Sequence, residues 1–158
     1  MTAARVGFTG TRDGLTLAQL DALNDLFVRL IDRDMFAEFH HGDCVGADAT
    51  AHYLASFHMI PVIIHPPVNQ RMRAFCAGAY RMRTAREYGA RNRQIVSDTD
   101  LLIATPNSDE SYRGSGTWAT IRHAQDEDRP IFIIYPDGRV TFEMSVDPDE
   151  FLALEDIA

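Results

Sequence analysis

Apolar and polar positions along this chain alternate between two periods. Short apolar runs rich in valine, isoleucine and phenylalanine predict buried strands over residues 5–9, 36–40, 61–65, 100–104 and 130–135. Apolar residues that recur every three or four positions predict amphipathic helices over residues 17–30, 47–58, 85–96, 115–125 and 148–157. Residues 140–144 are predicted to add an edge strand, whereas residues 68–80 show no clear periodicity.

Strands that alternate with helices are typical of a parallel sheet covered by helices on both faces. With right-handed crossovers, the order predicts an α/β fold, a Rossmann-like three-layer α/β/α sandwich whose mainly parallel sheet has about five strands. We find no internal repeat and no linker, and 158 residues suit one core. The chain is therefore expected to form a single domain over residues 1–158.

Glycine-containing turns follow three of the predicted strands, over residues 9–14, 41–48 and 106–117. The carboxyl ends of parallel strands share one rim of the sheet, where α/β proteins bind ligands. Glycines let backbone N–H groups approach a ligand, and helix N-termini attract anions. The turns match neither the dinucleotide fingerprint nor a P-loop, and the chain has no lysine.

These turns and the helix before the third one supply the candidate ligand-binding residues. They are Gly10, Thr11, Arg12, Gly42, Asp43, Gly46, Arg93, Arg113, Gly114, Ser115, Gly116 and Thr117.

The net charge of −8 argues against a dedicated nucleic-acid binder and against an anionic membrane surface. All 15 basic residues are arginines, and seven of them fall within residues 71–93. The planar guanidinium suits bidentate contact with phosphate or carboxylate, so this cluster indicates a bound anion. A solvated helix face paired with acidic neighbours is the alternative interpretation.

Cys44 and Cys76 do not have the spacing of metal ligands, and two cysteines do not make a disulfide framework. His40 and His41 are of ligand type, but neighbours on a strand point to opposite faces and do not chelate together. We therefore expect neither a metal nor a cofactor. No leader or transmembrane run is evident, which favours a cytoplasmic location.

Five short segments carry a resemblance to a known group of proteins. Residues 91–92, 100–106 and 114–117 resemble the arginine, strand and glycine motif of the Lonely Guy (lysine-decarboxylase-like) nucleotide phosphoribohydrolases. Residues 7–12 and 41–48 are similar to small proteins of the wider SLOG superfamily, which includes DNA-processing protein A. The resemblance spans about residues 5 to 135 and implies a Rossmann-like pocket for a nucleotide or a nucleotide-derived ligand. It also implies a homodimer or a higher homo-oligomer.

The same resemblance bears on catalysis. Lonely Guy enzymes split a base from ribose 5′-monophosphate with an arginine, which Arg91 matches, and a glutamate just after the Gly-Thr pair. In this chain the matching positions hold Ala119 and Thr120, which cannot stabilise an oxocarbenium ion as a carboxylate does. Asp48 is our candidate for ribose or catalytic contact, and an N-cap for the following helix is its alternative role.

Three functions thus stay open. The pocket either hydrolyses an N-glycosidic bond in a nucleoside monophosphate, or senses or sequesters the ligand. The minority interpretation is a nucleic-acid-associated module that uses the arginine-rich segment. Trp118 is open in the same way, between stacking on a base and packing in the core or at a dimer interface.

Overall fold

Strands and helices alternate along the chain as the sequence predicts. The computed structural model describes residues 3–144. Its strands are β1 (Ala4–Gly10), β2 (Phe36–His41), β3 (Val62–Ile64), β4 (Arg81–Met82), β5 (Leu101–Thr105), β6 (Ile131–Ile134) and β7 (Val140–Glu143). Its α-helices are α1 (Leu17–Asp32), α2 (Ala47–Phe57), α3 (Tyr88–Asp98) and α4 (Gly116–Asp126), and a short 3₁₀ helix spans Gln70–Met72.

The strands form one sheet in the order β4-β3-β2-β1-β5-β6-β7. All neighbours pair in parallel except β7, which runs antiparallel to β6. The predicted α/β class is confirmed, but the sheet has seven strands rather than about five. The edge strand predicted over residues 140–144 is β7, and β4 has only two residues, too few to show a period. The helix predicted over residues 148–157 lies outside the described residues.

Two apolar clusters fill the space on the two faces of the sheet. α1 and α2 pack on one face over a core that includes Phe8, Phe27 and Phe39. α4 packs on the other face beside α3, and its Ile121 and Trp118 join the second cluster. A capping box fixes the start of α1, where Thr16 and Gln19 exchange side-chain and backbone hydrogen bonds. Within residues 3–144, no helix combines the length and apolar character needed to cross a bilayer.

The strand order places a crevice next to the end of β1. From β1 the chain moves outward to β2 and β3, and it returns to the other side of β1 as β5. Such a reversal separates the loops that follow the two central strands, and in α/β sheets ligands bind in the resulting crevice. Here the loops after β1, β2 and β5 are the three glycine-containing turns.

Residues 66–87, which include the stretch 68–80 that shows no clear periodicity, form a strap that runs across the ends of β2 and β3. It contains the 3₁₀ helix and β4. A bridge between Cys44 and Arg73 pairs it with the main body, and a bridge between Pro67 and Arg86 pairs its own two ends. Backbone hydrogen bonds, such as that from Val45 N–H to the Met72 carbonyl, hold it in place. The strap is therefore an ordered part of the fold.

Candidate functional site

A cleft of about 430 Å³ opens at the rim where the three glycine-containing turns meet. It is lined by ten of the residues that the sequence singled out for binding or catalysis: Gly10, Thr11, Arg12, Gly42, Asp48, Arg91, Gly114, Ser115, Gly116 and Thr117. Residues from β1, α2, α3 and α4 thus converge although they are distant in the chain. This convergence makes the cleft the candidate functional site.

Four predicted binding residues do not line the cleft. Arg93 and Arg113 are exposed and lie outside its lining. Asp43 is fully buried, and Gly46 packs against the backbone of the first turn. The structure places these four where they shape or flank the site instead of facing its interior.

Asp43 fastens the strap to the end of β2. Its carboxylate accepts hydrogen bonds from Arg73 Nε at 2.7 Å and from the Cys76 N–H at 2.9 Å, and its carbonyl accepts from the Ala74 N–H at 2.7 Å. Burial opposes ionisation, but these donors outweigh it and hold the pKa of Asp43 below its usual value. Asp43 therefore acts as an ionised structural anchor.

Gly46 joins the first and second turns. Its φ of +91° is one that only glycine adopts readily, and a Cβ at this position would overlap the Arg12 carbonyl. The next N–H, that of Ala47, donates to the Thr11 carbonyl at 3.0 Å. The two turns are thus held at backbone contact distance, which fixes that wall of the cleft.

Arg91 is a buried cation at the floor of the cleft, with 4% of its surface exposed. Its Nη1 donates to the Gly42 carbonyl and, at 3.2 Å, to the His65 carbonyl, while Nε donates to Asn92 Oδ1 at 2.7 Å. Its Nη2 lies 3.5 Å from Cys44 Sγ. Among the described residues no carboxylate oxygen lies within ion-pair distance of this guanidinium. Backbone carbonyls therefore hold the guanidinium in place, and no carboxylate of the described residues contacts it directly to neutralise its charge.

Gly42 makes this placement of Arg91 possible. A Cβ at position 42 would overlap the guanidinium, so any side chain there would push Arg91 away from the ends of β2 and β3. The glycine is thus required by the close approach of a side chain from α3.

Asp48 lies near Arg91 in the first turn of α2 and is 6% exposed. Burial raises the pKa of Asp48 to about 6, although the charge of Arg91 and a hydrogen bond from the Cys44 N–H at 3.1 Å act in the opposite direction. The N-cap of α2 is Gly46, and no side chain caps this helix. The alternative role of Asp48 as N-cap is therefore wrong, and its carboxyl lines the cleft.

Cys44 also lines the cleft, as a free, buried thiol. Burial raises the pKa of this thiol, and the charge of Asp48 raises it further. A thiol in this state stays protonated near neutral pH and is a poor nucleophile.

The start of α4 forms another wall of the cleft. Ser115 is its N-cap, and Ser115 Oγ accepts from the Trp118 N–H at 3.2 Å. Gly116 begins the helix with open space where a Cβ would stand. Ala119 and Thr120, at the positions of the missing glutamate, lie outside the lining, and Thr120 Oγ1 donates back to the Gly116 carbonyl. Backbone N–H groups, with no carboxylate among them, thus face the cleft from α4.

Two tyrosines in the cleft were not predicted. Tyr88, the first residue of α3, has the guanidinium carbons of Arg12 and Arg91 at 5.2 and 5.4 Å from its ring centre. Tyr112 lies opposite in the third turn, where its hydroxyl donates to Asn107 Oδ1 at 2.8 Å. Neither tyrosine belongs to a motif, so only their proximity in the fold identifies them.

Trp118, which the sequence left open between two roles, packs in the core. It is 6% exposed and belongs to the apolar cluster under α4, and its Nε1 donates to Ser108 Oγ at 3.0 Å. The bond ties the third turn to α4. The tryptophan therefore supports the third turn from the core side and does not line the cleft. Tyr88 and Tyr112 contribute aromatic rings to the lining.

His40 and His41 point to opposite faces of the sheet, as their adjacency predicts. The Asp43 N–H donates to His41 Nδ1 at 2.9 Å, so the proton is on Nε2, which faces His52 Nδ1 at 2.8 Å. His52 Nε2 in turn donates to the Ala77 carbonyl at 2.6 Å. Burial lowers the pKa of His41 to about 3. These two rings link β2 and α2 to the strap.

Three of the clustered arginines form ion pairs with carboxylates on neighbouring elements. Arg73 pairs with Asp43 as described, Arg81 lies 3.8 Å from Glu38, and Arg83 lies 3.2 Å from Asp98. This supports, for these three, the interpretation of the cluster as a paired surface. The clustered arginine that faces the cleft is Arg91.

Comparison with solved structures gives neighbours that cover between 83% and 99% of the chain. The molybdenum cofactor binding protein from Rippkaea orientalis matches with a TM-score of 0.63 at 20% identity, over 99% of this chain and 87% of its own. The chain therefore shares the Rossmann-like α/β fold of this protein. The molybdenum cofactor carrier protein from Chlamydomonas reinhardtii gives 0.61 at 16% identity, over 98% and 84% of the two chains. The structural-genomics target TM1055 gives 0.58 at 15%, over 83% and 72%. No family model and no curated protein sequence matches the chain.

Proposed function

We propose that the cleft of this Rossmann-like fold binds a phosphorylated small molecule of nucleotide type, with its phosphate at the N-terminus of α4. The observation that carries the proposal is the buried guanidinium of Arg91, which has no carboxylate in ion-pair contact within residues 3–144. A buried charge is costly unless it is compensated, so this position favours an anionic ligand.

The start of α4 supplies donors for the phosphate. Ser115 caps the Trp118 N–H with its side chain and the Ala119 N–H with its carbonyl. The N–H groups of Gly116 and Thr117 then remain for a ligand, since the first N–H groups of a helix have no partner within it. The positive end of the helix dipole adds to their attraction for an anion.

The remaining lining suits the rest of a nucleotide. Tyr88 and Tyr112 offer aromatic faces on which a base or another planar ring would stack. The Asp48 carboxyl at the floor accepts hydrogen bonds from hydroxyl or amino groups. A volume of about 430 Å³ lies within the range of sites that hold ligands of this size.

Two structural neighbours are named for a molybdenum cofactor, so the choice of ligand needs a panel. Purified protein would be titrated by calorimetry with nucleoside mono- and diphosphates, the matching nucleosides, inorganic phosphate and molybdenum cofactor. Phosphorylated compounds should bind and the nucleosides should not. Equal affinity for a nucleoside and its monophosphate would refute the phosphate position, and failure of the whole panel would refute the proposal.

Hydrolysis of an N-glycosidic bond is a second candidate function, favoured by the buried Asp48 next to Arg91. With a pKa of about 6, this carboxyl exchanges a proton near neutral pH, as a general acid or base must. It would replace the glutamate that the Lonely Guy enzymes carry on the helix after the glycine motif. Release of free base from nucleoside monophosphates, measured by chromatography, tests this role. No release at high protein concentration would leave binding alone.

A further inference from the structure

A second polar cluster lies away from the cleft, between the ends of β2 and β3 and the last turn of α3. It contains the imidazoles of His40 and His65, which are 1% and 0% exposed, and the carboxylate of Asp98. One potential ligand atom from each residue lies within 4.8 Å of the others. The three residues come from three elements, so no sequence spacing reveals the group.

The hydrogen bonds at His40 fix where its proton is. His40 Nε2 lies 3.0 Å from the carboxylate of Glu38, which only accepts, so Nε2 carries the proton. The lone pair of His40 Nδ1 then points at His65 Nε2, 2.9 Å away. A carboxylate that orients a histidine from behind in this way is typical of metal-binding histidines.

The protein atoms alone leave this cluster unsatisfied. If His65 Nε2 donates to His40, then His65 Nδ1 is an acceptor, and it is buried without a hydrogen-bond partner. Gln94 Oε1 is also buried without a hydrogen-bond partner, and the Gln94 side chain lies beside His65. Both acceptors would be satisfied if His65 carried its proton on Nδ1 and donated it to Gln94 Oε1.

Moving that proton leaves two lone pairs, those of His40 Nδ1 and His65 Nε2, facing each other with no hydrogen between them. A cation is what such an arrangement accommodates. Asp98 Oδ2, which is buried without an aligned hydrogen bond, supplies a third ligand with negative charge. Arg83 Nη2 approaches it to 3.2 Å without hydrogen-bond geometry and is the cation with which a metal would compete.

We propose that His40 Nδ1, His65 Nε2 and Asp98 form a binding site for a late first-row divalent cation, with Zn²⁺ as the ion that best suits the ligands. Two imidazoles and one carboxylate form a known three-ligand set for zinc. Ligand atoms around tetrahedral zinc lie roughly 3.3 Å apart. The two histidine nitrogens are close to that separation already, and Asp98 closes the remaining gap by a side-chain rotation at the end of α3.

The site would also be linked to the cleft. The His65 carbonyl accepts a hydrogen bond from Arg91 at 3.2 Å, while the His65 ring would bind the metal. A metal that fixes His65 and the end of α3 therefore fixes one of the acceptors that position Arg91. The other histidine pair, His41 and His52, has all four ring nitrogens engaged by protein groups and offers no ligand atom.

The test is titration of the chelator-treated full chain with Zn²⁺ by calorimetry and with Co²⁺ by visible absorption. One ion per chain should bind, with cobalt bands of a four- or five-coordinate site. Asp98→Asn should weaken binding at least tenfold, and Gln94→Leu should weaken it about 10- to 100-fold through loss of the support behind His65. His58→Gln is the matched control, because this half-buried ring bonds to Asn24 outside the cluster.

Nitrogen-15 NMR of the histidine rings gives an independent measurement. In the zinc-bound protein the metal-bound nitrogens should be His40 Nδ1 and His65 Nε2, with the proton of His65 on Nδ1. Absence of saturable binding would overturn the proposal. Binding that Asp98→Asn and Gln94→Leu leave at wild-type affinity, in variants shown by circular dichroism to be folded, would overturn it as well.

Discussion

Gly116→Ala should separate ligand binding from stability. A Cβ at this position would have no protein atom within 4 Å, and the residue is the first of α4, with helical backbone. Replacing such a glycine by alanine stabilises a protein by about 0.4–1 kcal/mol, because the unfolded chain loses freedom. The added methyl group would nevertheless occupy the space through which a phosphate approaches the helix N-terminus.

The expected loss of affinity follows from the contacts that the methyl group would block. A hydrogen bond to a charged group contributes about 1.5–3 kcal/mol. Loss of one such bond weakens binding roughly 10- to 150-fold at 1.4 kcal/mol per tenfold. Calorimetry with the tightest-binding nucleoside monophosphate measures this change, and urea unfolding followed by circular dichroism measures stability.

Gly89→Ala is the matched control for this experiment. Gly89 lies in the first turn of α3 outside the cleft, and its nearest neighbour for a Cβ is Arg93 Nη1 at 3.9 Å. The variant should gain similar stability and bind the ligand normally. If Gly116→Ala binds as tightly as the wild type, the phosphate does not lie at the start of α4. If the Gly116→Ala variant is strongly destabilised, the space that a Cβ at this position would fill is not open.

Three further outcomes follow from other contacts. Gly42→Ala should lower the free energy of unfolding by about 1–3 kcal/mol, as overpacking does, because its methyl group would displace Arg91; a stability equal to wild type in urea would contradict that contact. Because the raised pKa of Asp48 favours its protonated form in the folded state, wild type should lose on the order of 3 kcal/mol relative to Asp48→Asn as pH rises from about 4 to above 6. Parallel pH profiles of the two proteins would show that Asp48 titrates normally. In the Asp48→Asn background, stability should fall as pH decreases from about 6.5 toward 3, since the unfolded chain protonates His41 while the folded ring stays neutral; a profile flat over this range would rule out the buried neutral histidine.

The sequence predicted the parts of this fold that depend on periodicity. Leu23, Leu26 and Leu30, which recur at three- and four-residue spacing, lie on the buried face of α1. Leu17 belongs to the same pattern, but it is the first residue of the helix and is exposed. Elements with too few residues for a period were missed. β4 has two residues, and only its pairing with β3 makes it a strand.

The sequence predicted those residues of the candidate site that lie in glycine-containing turns after strands. It did not predict residues whose position depends on contacts with segments distant in the chain. The glycine turns at residues 10, 42 and 114–116 all line the cleft. By contrast, Asp43 is in the same turn as Gly42, but its carboxylate binds Arg73 and Cys76 of the strap instead of facing the cleft. No sequence pattern indicates where the strap lies. Tyr88 enters the cleft because α3 begins there, three residues after the predicted start.

The short outer strand β4 has a consequence for how copies of this chain can associate. An exposed sheet edge invites another chain to add a strand, and proteins suppress this with short strands and charged side chains. β4 offers two residues, both exposed, one of which is Arg81. Strand addition at this edge is therefore disfavoured, and we expect any homo-oligomer to form through helical surfaces and to leave this side of the sheet free.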